Sequence, residues 1–197
     1  MGRPSLVAER TTEILDAFER CIVRFGIEGS SLERIAEEAD MKRSILRHYV
    51  GNRDDLVAAL ADRVTEQYRE LFDDYVASHS DLQPVEQLMG FLFPAKALST
   101  AQSLWVLESL IAISASSPDI QRKMLDYVDG LVVRASAMLN QSYANASKKD
   151  CWTVAYGVVS ICFNQESLVA LEPPPKYARA AKAAAWALVR TLEVPAT

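Results

Sequence analysis

The sequence predicts an all-α protein of about nine helices, a small N-terminal helical domain followed by a larger helical one. Three observations carry this. Apolar residues recur at spacings of three and four through most of the 197 residues, which is the period of one helix face. No stretch of useful length alternates apolar and polar residues as a half-buried strand would. Breaks at Gly26, Gly51-Asn52, Pro94, Pro118 and the three prolines 173–175 cut the pattern into helix-sized pieces.

Composition bounds the function. The chain is 50% hydrophobic and 24% charged, which suits a folded protein with a real core. No uninterrupted apolar run reaches the eighteen or so residues of a membrane span, and the N-terminal stretch, with Glu9 and Glu13, lacks a signal-type apolar segment. Cys21, Cys151 and Cys162 are too few and too scattered for a disulfide framework, so a reducing cytoplasm is expected. The formal charge of −5 argues against indiscriminate coating of nucleic acid. The charge is nevertheless sorted. Residues 1–60 hold nine Lys or Arg and eleven Asp or Glu, yet no acid lies between Met41 and Arg53.

The first helix is expected over 7–25, with Ile14, Ala17, Phe18, Cys21, Ile22 and Phe25 on its inner side and Gly26 ending it. Ser30 and Glu33 read as a capping box for a second helix, whose inner stripe is Leu32, Ile35, Ala36 and Ala39. Asp40 occupies the turn, where a left-handed conformation is tolerable for Asp. A third helix, from Lys42 or Arg43 to Val50, is anchored in this reading by Ile45, Leu46 and Tyr49, with Val50 as a further candidate anchor. Lys42, Arg43, Ser44, Arg47 and His48 are left at the outer surface. Two short helices joined by a tight turn, the second one basic, form the pattern of a helix-turn-helix that lays one helix in the major groove of DNA. Arg3, in the short N-terminal arm, could reach a neighbouring groove.

The segment resembles the N-terminal DNA-binding domain of the TetR family of transcriptional regulators. The resemblance rests on Ser30-Ser31-Leu32, Ile35-Ala36, Ala39-Asp40-Met41-Lys42-Arg43-Ser44, Ile45-Leu46-Arg47-His48-Tyr49-Val50 and Arg53-Asp54-Asp55-Leu56. It implies DNA contacts from Lys42, Arg43, Ser44, Arg47, His48, Tyr49 and Arg53, with Arg43 and Tyr49 at phosphate-contacting positions. Tyr49 serves equally well as a packing residue. Lys42, Ile45, Arg47 and Asp40 depart from the family's common residues, so no operator is carried over.

The resemblance further implies a DNA-binding domain at 1–53 and an effector-binding and dimerisation domain at 54–197. Helix 4 is expected over about 54–78, and a short helix near Pro84. A nearly apolar helix over 98–115 is expected in the centre of the body, followed by one from Pro118 to about 140–143 and two more over 149–170 and 178–192. The alanine-rich last helix suits close helix–helix approach. With its predecessor it resembles a TetR-type four-helix dimer interface, for which Trp152, Val159, Ala183, Trp186 and Ala187 are the expected contacts. A homodimer would meet two half-sites of a palindromic double-stranded operator. A small hydrophobic effector is implied in the body, with Leu104, Trp105, Glu108, Ile111, Met124, Tyr127, Tyr156, Phe163 and Asn164 as candidate wall residues, each equally at home in ordinary packing. Glu108 is notable as an acid within an apolar helix.

Catalysis is not expected. His48 and His79 are the two histidines, and the chain shows no metal-ligand spacing, phosphate-cradling Gly-rich loop or nucleophile elbow. No cofactor or metal is expected. A ligand-released repressor is the leading function, and a helical protein-interaction module with little DNA binding is the alternative.

Overall fold

Apolar spacing, caps and proline breaks produce nine α-helices among the described residues of the computed structural model, which are 6–95, 98 and 100–193. They are α1 (Leu6–Gly29), α2 (Leu32–Glu38), α3 (Arg43–Val50), α4 (Arg53–Ser78), α5 (Pro84–Leu92), α6 (Ala101–Ile113), α7 (Pro118–Ser142), α8 (Lys148–Ser167) and α9 (Lys176–Arg190). Short 3-10 turns follow α6, α8 and α9. The fold is all-α, as expected, with the helix-turn-helix at its N-terminal end. Arg3 lies outside the described residues.

The helices form two compact units. The first combines α1, α2, α3, α4 as far as Gln67, and Thr100–Met124, which includes α6. Its centre is α1, whose Ile14, Phe18, Cys21 and Ile22 are wholly buried. Gly26 breaks the regular helix there with φ +70° and ψ 165°, a backbone state that favours glycine. Phe25, expected inward, is exposed instead. The Arg24 and Arg34 guanidinium groups cover its ring at 5.0 and 4.8 Å, so cation–π contact replaces burial. The cap of α2 is also displaced by one residue from expectation. Ser31 accepts from the Arg34 amide, whereas Ser30 is fully buried and its hydroxyl donates to the Gly26 carbonyl at 2.7 Å. Asp40 takes up the left-handed conformation, φ +50°.

One polar knot ties α4 to α1. Arg63 Nη2 donates to Asp16 Oδ1 at 2.5 Å and to Glu19 Oε1 at 2.8 Å, and its Nη1 donates to the Thr12 carbonyl at 3.3 Å. The Arg63 and Glu19 side chains are only 18% and 12% exposed.

The second unit contains α4 from Tyr68, α5 and the chain from Leu125 onward. Its core combines Phe72 of α4, Leu88 and Met89 of α5, Val132 and Leu139 of α7, Cys151, Val158 and Val159 of α8, and Ala185 and Val189 of α9. Polar side chains close helix ends around this core. Gln87 Nε2 donates to the His79 carbonyl at 2.8 Å, and Lys182 Nζ donates to the Phe93 carbonyl at 3.2 Å. Residues 148–171 are long and apolar enough, by length and composition alone, to cross a membrane, with 28% of the window buried. One face of this stretch belongs to the core and packs on α9, while Ser160, Asn164 and Ser167 lie exposed. That two-sided pattern is what a helix half covered by protein shows.

Candidate nucleic-acid interface

The recognition surface rests on a one-row anchor. Leu46 is wholly buried and Val50 nearly so, and these two, four residues apart, hold α3 against the rest of its unit. An eight-residue helix has room for about one such row, so the neighbouring row turns outward. Tyr49 is half-buried, its ring 5.3 Å from that of His48, and Ile45 is 44% exposed. Ile45 therefore departs from its expected anchoring role. Lys42, Arg43, Ser44, Arg47 and His48 are all exposed. At 1.5 Å per residue the helix is about 12 Å long, comparable with the width of the major groove.

The C-terminal end of α3 is firmly built, whereas Lys42 at its N-terminus makes no side-chain cap. Gly51 takes φ +76° after Val50, and a Cβ there would run into the Asp55 carboxylate. Asp55 Oδ2 accepts from the Asn52 amide at 2.9 Å, while Asn52 Oδ1 accepts from the Asp54 and Asp55 amides. Together these fix where α3 stops and α4 starts. Arg53 strengthens the junction by donating to the Ser30 carbonyl at 3.0 Å and the Ile27 carbonyl at 2.6 Å. Its guanidinium thus has an internal structural task, which sequence spacing did not signal.

Two acids of α2 are paired with arginines, one of them on this surface. Arg43 Nη1 lies 2.6 Å from Glu33 Oε1 of α2, with both side chains more than half exposed. The Glu33 carboxyl is held below its usual range, first by hydrogen bonding to its own backbone amide and then by Arg43. Glu38 is held low by its hydrogen bond from Arg20, with Arg24 adding to the effect. The latter pair braces α2 on α1. The former places a carboxylate beside a residue of the basic surface. Sequence reasoning assigned Glu33 to a cap and missed this second contact, because Glu37, Glu38 and Asp40 all lie nearer to Arg43 along the chain.

The candidate effector residues divide between the units. In the first, Trp105 and Ile111 of α6 are 45% and 40% exposed, Leu104 and Glu108 are half-buried, and Met124 is buried. The nearly apolar α6, expected in the body's centre, thus buries only Val106, Leu107 and Leu110 fully and packs on α1. In the second, the Tyr127 ring meets those of Phe163 and Tyr68 at 6.4 and 6.0 Å. Burial raises the Tyr127 hydroxyl pKa, and Glu166 raises it further. Asn164 belongs elsewhere, to an open groove of about 740 Å³ between the end of α8 and α9, with Ile161, Leu168, Tyr177, Ala181 and Ala184 as apolar wall. Gln165 also lines it, and its Oε1 is buried without a hydrogen-bond partner among the described residues.

Of the candidate dimer contacts, Trp152, Ala183 and Ala187 are exposed, Trp186 is half-buried against the unit's core, and Val159 lies within that core. The Trp152 and Tyr156 rings stack in parallel, 5.8 Å apart, on the exposed side of α8. All three cysteines are buried and free. No group of three or more His, Cys, Asp or Glu suited to a metal ion occurs among the described residues.

Comparison with known proteins converges on this helix-turn-helix. Residues 14–60 match the family model described as bacterial regulatory proteins, tetR family. The chain is 33% identical over 84 residues to the HTH-type transcriptional regulator PksA of Bacillus subtilis, covering 43% of this chain and 40% of that protein. It is 31% identical over 68 residues to the HTH-type transcriptional repressor AcnR of Corynebacterium jeikeium, covering 34% and 36%. The matched segments therefore span about two fifths of these relatives. A transcriptional regulator from Rhodococcus sp. Rha1 has the same fold, with a TM-score of 0.77 at 16% identity, over 94% of this chain and 99% of that one. The helix-turn-helix segment of the chain, residues 14–60, is thus similar to that of the tetR family of bacterial regulatory proteins.

Proposed function

We propose that this chain is a cytoplasmic, sequence-specific regulator of transcription that binds double-stranded DNA as a homodimer and acts as a repressor. The observation that carries this reading is α3 itself. Leu46 and Val50 hold it, while Lys42, Arg43, Ser44, Arg47 and His48 stand exposed with no acid among them. In this reading residues 1–53 are the DNA-binding domain, and Tyr49 and Arg53 stiffen the surface or touch the backbone. Residues 54–197 supply the effector site and the dimer contact. Exposed Trp152, Ala183, Ala187 and Leu188 on α8 and α9 suit a two-fold helical bundle, with Val159 and Trp186 supporting that face from within the subunit. Two recognition helices then read two half-sites, and their linkage raises affinity through effective concentration.

A small hydrophobic effector would release the operator by favouring a dimer whose heads no longer match the half-site spacing. The Tyr127–Phe163 contact and the groove holding Asn164 are the candidate places. Repression fits the mechanism because occupancy of a promoter suffices, and AcnR, one similar protein, bears the name of repressor.

Selection of duplexes from a genomic or random library by the purified chain tests the reading. An enriched inverted repeat is the expected result. A folded dimer that retains no duplex at low salt would overturn it in favour of a protein-interaction module. True phosphate contact must also weaken steeply as salt rises. Within this reading, Glu33→Gln removes the carboxylate beside Arg43, so operator affinity should rise about threefold to tenfold at low salt, the gain shrinking as screening increases. Equal affinity of variant and parent across a salt titration would show that the Glu33–Arg43 pair does not temper binding.

A further inference from the structure

We propose that Ile45 is a specificity-determining residue that reads the 5-methyl group of a thymine in each operator half-site. The inference rests on the DNA-binding reading above and adds a chemical identity for one base. Its starting point is an outward-facing β-branched side chain that local physics does not account for. Ile45 is 44% exposed, whereas its neighbour Leu46 is wholly buried and supplies the packing. Isoleucine is also not a strong helix former, because its branched side chain loses χ1 freedom in the helix.

A single exposed apolar residue is ordinary on a protein surface. Its setting distinguishes this one. Ile45 is flanked three residues to either side by Lys42 and His48, hence on the same helix face, and Arg43 and Arg47 lie two residues away; all four are exposed. Exposed Phe25 in the same unit has two arginines over its ring, so its exposure has an internal explanation. Ile45 is instead an apolar point within a basic surface. In the major groove, the apolar feature that distinguishes one base pair from the others is the thymine methyl; the rest of the pattern is donors and acceptors. A stiff branched side chain meets a methyl with little rotamer entropy to lose. Arg43 or Arg47 would hold the helix in register through phosphate or a base edge, while Ile45 discriminates thymine from cytosine at one position.

The test uses the full-length dimer and its selected operator. Each thymine is replaced in turn by deoxyuridine, which deletes only the methyl group and retains base pairing. For the parent protein, one thymine per half-site should show a loss of about fourfold when replaced, and about fifteenfold when both symmetry-related thymines are replaced. Ile45→Ala should bind thymine and deoxyuridine operators equally at that position, with its thermal midpoint and salt dependence those of the parent. Indifference of the parent to deoxyuridine at every thymine would overturn the inference without needing any variant. So would retention of the full thymine preference by Ile45→Ala. Failure of the parent to retain any duplex removes the DNA-binding reading and this inference together, and is thereby distinguishable from the other outcomes.

Discussion

Arg47→Ala is expected to lower operator affinity about a hundredfold while leaving the thermal midpoint of the protein nearly unchanged. Arg47 is exposed on α3 and none of the ion pairs among the described residues includes it, so its removal costs the fold little. Alanine is also a strong helix former. On DNA the same side chain would donate to a phosphate or to a guanine edge, contacts worth about 1–3 kcal/mol each. A two-fold dimer loses the contact twice, and even ~1.4 kcal/mol per half-site compounds to a hundredfold. Titration of operator and of unrelated duplex at several salt concentrations separates the two roles. Loss of a phosphate contact weakens all sequences alike and reduces the salt slope by about one per half-site. Loss of a base contact spares non-specific binding and relaxes selectivity at one position. Unchanged operator affinity would remove Arg47 from the interface.

Arg63→Ala is expected to destabilise the first unit by about 2–3 kcal/mol without touching the recognition surface. Arg63 serves Asp16, Glu19 and the Thr12 carbonyl at once. Its deletion leaves the Glu19 carboxylate, 12% exposed, without its bridging cation. Removing one partner of a largely buried ion pair costs more than the pair is worth, because the remaining charge stays desolvated. The figure lies below that for a fully buried pair because Asp16 is nearly half exposed. Urea unfolding followed by circular dichroism measures the change at constant m-value. Adding Glu19→Gln to the Arg63→Ala protein should recover part of the loss, since the stranded charge goes with it. A change below about 0.5 kcal/mol would mean that water replaces Arg63 at little cost.

Much of the helix-turn-helix segment is legible as sequence because its signals are local. The glycine break at Gly26, the left-handed Asp40, the α3 boundaries and the Asn52-Arg53-Asp54-Asp55 start of α4 all follow from backbone chemistry acting over a few residues. Errors appear where two local solutions are nearly equivalent. Ser30 and Ser31 can each cap a helix, and burial of Ser30 against the Gly26 carbonyl hands the cap to Ser31. Ile45 and Leu46 lie on adjacent rows of one short helix, and the space left by α1 and α2 takes Leu46. For Arg53 the deciding partners are the carbonyls of Ile27 and Ser30, more than twenty positions away in sequence. The interior of the second unit is less legible still, since an apolar residue in a helical pattern is equally suited to core, pocket wall or subunit contact. Val159 and Trp152 share α8 and similar hydrophobicity, yet one is buried in the core and the other stands half exposed.

The sequence by itself determined the all-α class, the order and approximate limits of the nine helices among the described residues, and a short basic helix following a turn. These depend on periodicity, capping and like charges close together along the chain. Only the tertiary structure decided that Ile45 faces outward, that Glu33 reaches Arg43, and that Arg63 joins α4 to α1. It also decided that α6 packs on α1 rather than filling the centre of a body. Such choices depend on which faces meet across long separations, where the competing arrangements differ by the shape of the space available and not by the local preference of any residue.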